Sequence, residues 1–284
     1  MSLNTKSNLQ EISDSLRMKA LMSIYHAKSG HPGGVLSCAD IISYLYFEEM
    51  VDPFDLSNES RDRFILSKGH CAPILYAAAS EFGIIPFDEL KTLRKLNSNL
   101  QGHTHRKTTP WVEASTGSLG QGFSFGIGEA IGLKLQKISS KIFVMLGDGE
   151  MQEGEIWEGA MFASHHGLEN LCAILDYNKM QSDDLNENIM GLEPILDKWR
   201  SFGWNVIELD GHDMEQIRKG FKQSKKIHNK PSILIAHTIK GKGVSFMEGS
   251  PTWHGSLTLS NDDFIQSLKE LGLQESEIGA YLDD

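Results

Sequence analysis

Three things are scarce in this sequence, and each scarcity removes a class of protein. Cysteine is the first: only Cys38, Cys71 and Cys172 occur, odd in number, far apart and in no CxxC spacing. That argues against a disulfide framework and for three reduced thiols acting as small buried apolar side chains. Long apolar runs are also missing. No stretch approaches the roughly 18 apolar residues of a membrane span, so no membrane association is expected. Positive charge is the third: 27 Lys and Arg against 38 Asp and Glu leave a formal net charge of -11, which disfavours a nucleic-acid partner but allows one small anionic ligand held by local groups. The polar N-terminus, "MSLNTKSNLQEI", lacks the charged-then-apolar layout of a secretory signal and points to the cytoplasm. Internal repeats and low-complexity segments are absent.

What is present has ordinary globular proportions, 40% hydrophobic and 23% charged over 284 residues, enough for one large domain with a sizeable core. We read residues 1–284 as that domain, with 259–284 adding a peripheral C-terminal helix. Ile12, Leu16, Ala20 and Ile24 recur every four positions ahead of Gly30, which predicts an amphipathic helix stopped at that glycine. "SCADIISYLYFEEM" predicts a second helix, with Ser37 as N-cap and Asp40 three residues on, and "PFDELKTLRKL" a third with Pro86 near its start. "RFILS", "IFVML", "LCAILD", "WNVIEL" and "SILIAHT" then read as strands, and "EGEIWEGAMFASHHG" and "DMEQIRKGFKQSKK" as crossover helices. Continuous apolar strands alternating with helices predict an α/β fold, a parallel sheet flanked by helices on both faces.

One helix stands apart. In "SLGQGFSFGIGEAIGLKLQ", Gly120, Ser124, Gly128 and Gly132 fall four apart on one face of a segment poor in helix propensity. Something must come close to that face, and a tight helix contact inside the domain and a close subunit interface are equally open.

In an open parallel sheet, ligands bind beyond the carboxyl ends of the strands. Asp148, in "LGDGEMQEGEIWEG", and Asn178, after "LCAILDY", stand at two such ends. A carboxylate and an amide oxygen there suit a hard divalent cation with places left for phosphate oxygens. Gly-Asp-Gly alone would read as a plain turn. It is accompanied, however, by "SGHPGG", "SKGH", "QGHTH", "STGSLGQG" and "WHG", and four of these set a histidine beside a glycine in a loop. Four such loops in one α/β chain suggest a shared site, where imidazoles bind phosphate and hydroxyl oxygens and move protons.

In this order, "SGHPG", "LSKGH", "TGSLGQG", "GDGE...EG..WE", "DYNK" and "KGKG...WHG" closely resemble the transketolase family of thiamine diphosphate enzymes. The likeness covers their N-terminal, diphosphate-binding domain, from about residue 10 to about 258. It implies that Asp148, Asn178 and the main-chain carbonyl of Met180 ligate magnesium, replaceable by calcium or manganese. It implies further that His70, Gly117, Ser118, Leu119, Gly149, Asn178, Lys240 and His254 line thiamine diphosphate, and that His31, His103 and His254 face the sugar hydroxyls. Glu153 and Glu158 match glutamates of the subunit junction, with Glu153 counted among the catalytic set. Glu155 has no match and reads as a favourable charge in a first helical turn; Glu150 reads the same way or as a residue that holds the loop. The implied reaction is ketol transfer, in which a two-carbon unit moves from a ketose phosphate to an aldose.

Two departures from the family bear on this expectation. Transketolases continue through a pyrimidine-binding domain and a further domain, so the chain is expected to be the N-terminal subunit of a split enzyme. It would be inactive without a separate C-terminal, pyrimidine-binding subunit, with which it would assemble as two copies of each. In "GHTHR", Thr104 replaces the family's usual proline, which frees the backbone and leaves His105 as a rival to His103. The competing readings are a deoxyxylulose phosphate synthase-like fragment, a 2-oxo acid dehydrogenase α-like subunit, and a non-catalytic cofactor-binding regulatory half. The histidine-rich loops favour transketolase, because polyol substrates need many hydroxyl-directed donors.

Overall fold

The computed structural model describes residues 8–255 and 258–283. Its centre is a five-stranded sheet in the order β1-β2-β3-β5-β4, with β1 Arg63–Leu66, β2 Ile142–Gly147, β3 Leu171–Tyr177, β4 Asn205–Asp210 and β5 Ser232–His237. All neighbours pair in parallel, and all five predicted strands are present. β3 lies in the middle with every residue buried, which is why its sequence is a continuous apolar run instead of an alternating one. Edge strand β4 is only partly covered and carries the charges Glu208 and Asp210.

Successive strand residues point to opposite faces, and each face has its own core. Phe143, Met145, Cys172 and Ile174 pack under α1 Leu9–Ala27, α2 Pro32–Ser37, α3 Ala39–Tyr44 and α4 Ala72–Glu81. Ile142, Val144, Leu146, Ala173 and Leu175 pack under α5 Gln121–Gln136 and α6 Gly154–His165. The short α7 Asn186–Ile189 and α8 Ile195–Ser201 follow β3, and α9 Met214–Ser224 crosses from β4 to β5. The three cysteines are buried and free. Among the described residues no helix is long and apolar enough to cross a membrane.

Several local expectations change. The first helix stops at Ala27, because Lys28 takes the left-handed conformation (φ 51°) that ends it before Gly30 is reached. Ser37 is no N-cap: it is buried at the end of α2, and its hydroxyl donates to Asp176 at 2.6 Å. The residues after Pro86 form a 3₁₀ segment, Phe87–Thr92, instead of an α-helix. The C-terminal region holds two helices, α10 Asn261–Glu270 and α11 Ile278–Leu282. The first docks on α1, with Phe264 fully buried and stacked on Tyr25 at 4.3 Å between centroids.

On α5 the close approach to the sheet uses other glycines than the predicted stripe. A Cβ at Gly126 would lie 2.5 Å from Val144 Cγ2, and one at Gly122 would lie 2.6 Å from the Ser67 backbone. At Gly128 and Gly132 an added Cβ would meet nothing within 4 Å among the described residues. A contact inside the domain is therefore not what those two positions serve. Exposed Phe125 and Leu135 belong to the same helix, and Met161 and Phe162 of α6 are exposed as well.

Candidate active site

Parallel register brings three strand ends together: Gly147 of β2 pairs with Asp176 of β3, and Tyr177 of β3 pairs with His237 of β5. The loops that leave these ends carry Asp148, Asn178 and Lys240. Across from them lie the segments around His31, His70 and His103. Between them is a cavity of about 350 Å³.

His31, His70, His103 and His254 all line this cavity. Their ring centroids stand 5.0 Å apart for His31 and His70, 6.2 Å for His31 and His103, and 5.7 Å for His31 and His254. Burial, with the neighbouring His70 second, pushes His31 down to about 4. Burial and the Lys240 charge push His254 down to about 3, and burial lowers His103 as well. These three imidazoles are neutral near pH 7, so each can donate one hydrogen bond and accept another.

Gly117, Leu119, Asp148, Gly149, Glu153, Asn178, Met180 and Lys240 line the same cavity. Ser118 does not; it is exposed beside it, in the turn that precedes α5. Glu158 is exposed on α6 away from the cavity. The choice between His103 and His105 falls to His103, because His105 turns aside with Nδ1 3.2 Å from Thr108 Oγ1. Thr104, expected to loosen this loop, is 3% exposed and is tied down. Its hydroxyl bonds Ala114 O at 3.0 Å and Thr116 Oγ1 at 2.6 Å. The backbone freedom that proline would have removed is taken up by side-chain hydrogen bonds.

Asp148 is 2% exposed. Its carboxylate accepts the backbone N–H of Gly149 at 2.8 Å and that of Lys179. Burial first, then the charge of Asp176, lifts its pKa to about 7. Asn178 Oδ1 accepts Met180 N–H at 3.2 Å, so this amide oxygen and the Met180 backbone lie together on the loop facing Asp148. Lys240, also 2% exposed, donates to Gln181 O at 3.3 Å and to His254 Nδ1 at 2.6 Å. Burial brings its ammonium down to about 8, against the pull of Asp148.

Two buried carboxylates outside the predicted set of site residues organise these loops. Asp176, at 0% exposure, accepts from Ser37, Lys68, Thr238 and Asn178. It thereby ties α2, the loop after β1 and the loop after β5 to β3. The acid inside the apolar run "LCAILDYN" was the available signal, since a charge in a buried strand has to be paired. Glu150 is the loop-holding residue and not an ordinary helix-start charge. One of its oxygens accepts from Ser67 Oγ and from Gly120 N–H at 2.8 Å, and the other accepts Gly147 N–H at 2.9 Å.

A sequence model of the family described as transketolase, thiamine diphosphate binding domain, matches residues 8–280. The 6-deoxy-6-sulfo-D-fructose transketolase subunit of Clostridium sp. (strain MSTE9) is 41% identical over 265 residues, covering 93% of this chain and 96% of that protein. An apulose-4-phosphate transketolase subunit of Phocaeicola vulgatus is 42% identical over 260 residues, covering 91% and 92%. Among solved structures, the transketolase of Campylobacter jejuni superposes with a TM-score of 0.87 at 32% identity. It covers 94% of this chain, which in turn spans 43% of that longer one.

Proposed function

The chain belongs to the transketolase family through its thiamine diphosphate-binding domain, and from that premise we propose that it is the N-terminal subunit of a two-component transketolase. It moves a two-carbon ketol unit from a ketose phosphate to an aldose, together with a C-terminal, pyrimidine-binding subunit, in an assembly of two copies of each. The observation that carries this reading is the convergence of four histidines, Asp148, Asn178 and Lys240 on one cavity. Near-complete coverage of two proteins that are themselves named as transketolase subunits supports the split form. Their names, which refer to 6-deoxy-6-sulfo-D-fructose and to apulose 4-phosphate, support an anionic sugar as the substrate class.

The residues present fit the cofactor and its metal. Asp148, the Asn178 side-chain oxygen and the Met180 carbonyl form an all-oxygen set suited to magnesium. A carboxylate held up at about 7 by burial and by Asp176 gains from a cation beside it. Among the described residues no three His, Cys, Asp or Glu side chains gather as a metal cluster; the proposed set contains a single carboxylate, and diphosphate oxygens and water would complete it. Gly149 borders the cavity, and a Cβ there would lie 2.9 Å from Gln181 Cβ, so glycine is what lets the Asp148 turn pack against the loop after β3 at the cavity wall. Thiamine diphosphate, when bound, supplies the carbanion chemistry of ketol transfer.

The chain's own groups bind and orient. Lys240 and His70 stand where they can donate to diphosphate oxygens. Among the described residues His31 Nδ1 is buried without a hydrogen-bond partner, and a substrate hydroxyl would provide one. His103 contacts the two-carbon fragment. His254 receives the Lys240 N–H at Nδ1, which leaves its other nitrogen as N–H on the cavity wall, 3.4 Å from Ser182 Oγ, to move a proton at the reacting hydroxyl. Glu153 and Glu158, both exposed, face the subunit junction, as does the open stripe of Gly128 and Gly132.

The test is co-expression with the partner subunit, followed by assay with a ketose phosphate donor and an aldose phosphate acceptor. Two-carbon transfer that requires both subunits, thiamine diphosphate and magnesium is the expected result. A complex that binds the cofactor yet transfers nothing across a broad sugar panel would overturn it.

A further inference from the structure

The loop that carries Lys240 is held by a residue outside the cavity. His212, in the turn after β4, bridges two parts of the chain. Its Nε2 lies 2.8 Å from the Ile239 backbone nitrogen and its Nδ1 lies 2.7 Å from Asp40 Oδ2. A backbone N–H can only donate, so Nε2 must be the unprotonated nitrogen. The ring proton is then on Nδ1 and is donated to Asp40. Both roles of the imidazole are determined by its partners.

Asp40 is itself fastened. It is 1% exposed and receives the guanidinium of Arg17, which is 2% exposed, donates to Leu36 O at 3.2 Å and pairs with Asp14 at 3.1 Å. Burial opposes the Asp40 charge, but the hydrogen bond from His212 and the charge of Arg17 hold it below the usual carboxylate range. The chain Arg17–Asp40–His212–Ile239 thus runs from α1 through α3 to the residue before Lys240.

Two further bonds hold the same segment: Gly241 N–H to Gly33 O at 3.0 Å and Gly249 N–H to Lys240 O at 2.9 Å. Lys240 also packs on Gly33, where a Cβ would come within 2.9 Å of Lys240 Cγ. A fourth bond, Gly243 N–H to Glu248 Oε1 at 2.9 Å, stays within the loop itself, so the side-chain link from this segment to α3 is the one through His212.

We propose that His212 is a positioning residue for the site: held by Asp40 in its Nδ1–H form, it accepts the Ile239 N–H and thereby sets where Lys240 presents its ammonium to the cofactor. This rests on the reading of Lys240 as a diphosphate-binding residue. Without the bond, the Ile239 N–H loses its acceptor and the 239–243 segment loses its link to α1 and α3. A lysine displaced by an ångström binds the diphosphate less well, whereas groups nearer the reacting carbon keep their places.

The test uses the assembled two-subunit complex. Thiamine diphosphate affinity at fixed magnesium is measured by tryptophan fluorescence, and amide exchange is measured at Ile239. His212→Ala is expected to weaken cofactor binding about tenfold, leave kcat at saturating cofactor within about twofold, and speed exchange at Ile239. His212→Gln, which can offer an amide donor and acceptor together, should recover most of the affinity. Lys240→Ala is the control: it should weaken the cofactor while Ile239 stays protected.

If Lys240→Ala weakens binding while His212→Ala changes neither affinity nor exchange, the positioning role is overturned. If Lys240→Ala itself leaves affinity unchanged, the cofactor reading fails and this inference fails with it. Nitrogen chemical shifts of His212 in the unaltered complex give a check that needs no variant. A neutral ring protonated on Nδ1 supports the assignment, and a ring protonated on Nε2 overturns it.

Discussion

Asp148 sits where electrostatics within the chain oppose its charge, since burial and Asp176 both favour its protonated form. The magnesium ion proposed there would reverse that balance, and on that reading the residue serves binding more than folding. Asp148→Ala should weaken magnesium-dependent thiamine diphosphate binding by about 100-fold or more in the assembled complex, measured by titration with and without chelator. Unchanged affinity would remove Asp148 from the ligand set. The histidines give a pH prediction. An ordinary histidine titrates near 6.5, whereas His31 is held at about 4 and His254 at about 3. Between those values the unfolded chain binds protons that the folded chain refuses. Their contribution to stability is therefore constant above about pH 6.5 and declines as pH falls below it. In urea titrations from pH 7.5 to 4.5, His31→Gln/His254→Gln should lose less stability on acidification than the unaltered chain; Asp148 is common to both and cancels in the difference.

At the scale of elements, α5 shows how one glycine-rich sequence serves two surfaces. Gly126 faces β2 so closely that a methyl group would overlap Val144, and Gly126→Ala should destabilise the chain by about 1–3 kcal/mol. Gly128 faces open space, and Gly128→Ala should stabilise the isolated chain by up to about 1 kcal/mol, because alanine is the better helix former. Urea unfolding of the two variants gives opposite signs on this account. Gly128→Leu would leave the fold intact but obstruct a close partner, so the copurified complex should dissociate on gel filtration. A complex that survives Gly128→Leu would place the interface elsewhere. The spacing of four along the helix revealed the stripe in the sequence. Which glycines met the sheet depended on the rotation of α5 about its axis, which its packing on β2 determines.

For the molecule as a whole, the cavity is lined on one side by strand-end loops and on the other by the histidine-bearing segments, and it opens to solvent. In the proposed assembly the partner's pyrimidine-binding domain closes it. The purified chain should accordingly show no transketolase activity, and stoichiometric addition of the partner should restore it. Sedimentation of the mixture should give the mass of two copies of each. Ketol transfer at a normal rate by the demonstrably pure chain would defeat the two-component reading.

Continuous apolar runs alternating with helical patterns were enough to specify all five strands, their parallel arrangement and the crossover helices α6 and α9, because burial on both faces of a sheet leaves few patterns open. The motif residues were legible too, and twelve of the candidates do border one cavity. What tertiary structure alone decided were relations between distant segments. Ser37 serves Asp176 and not a helix cap, Glu150 staples three loops, and His103 instead of His105 turns inward. Local sequence limits which partners a side chain can use, but partners such as Asp176 for Ser37, and Ser67 and Gly120 for Glu150, arrive from segments tens of residues away. Only the assembled sheet, with its strand ends in register, brings the two within hydrogen-bonding distance.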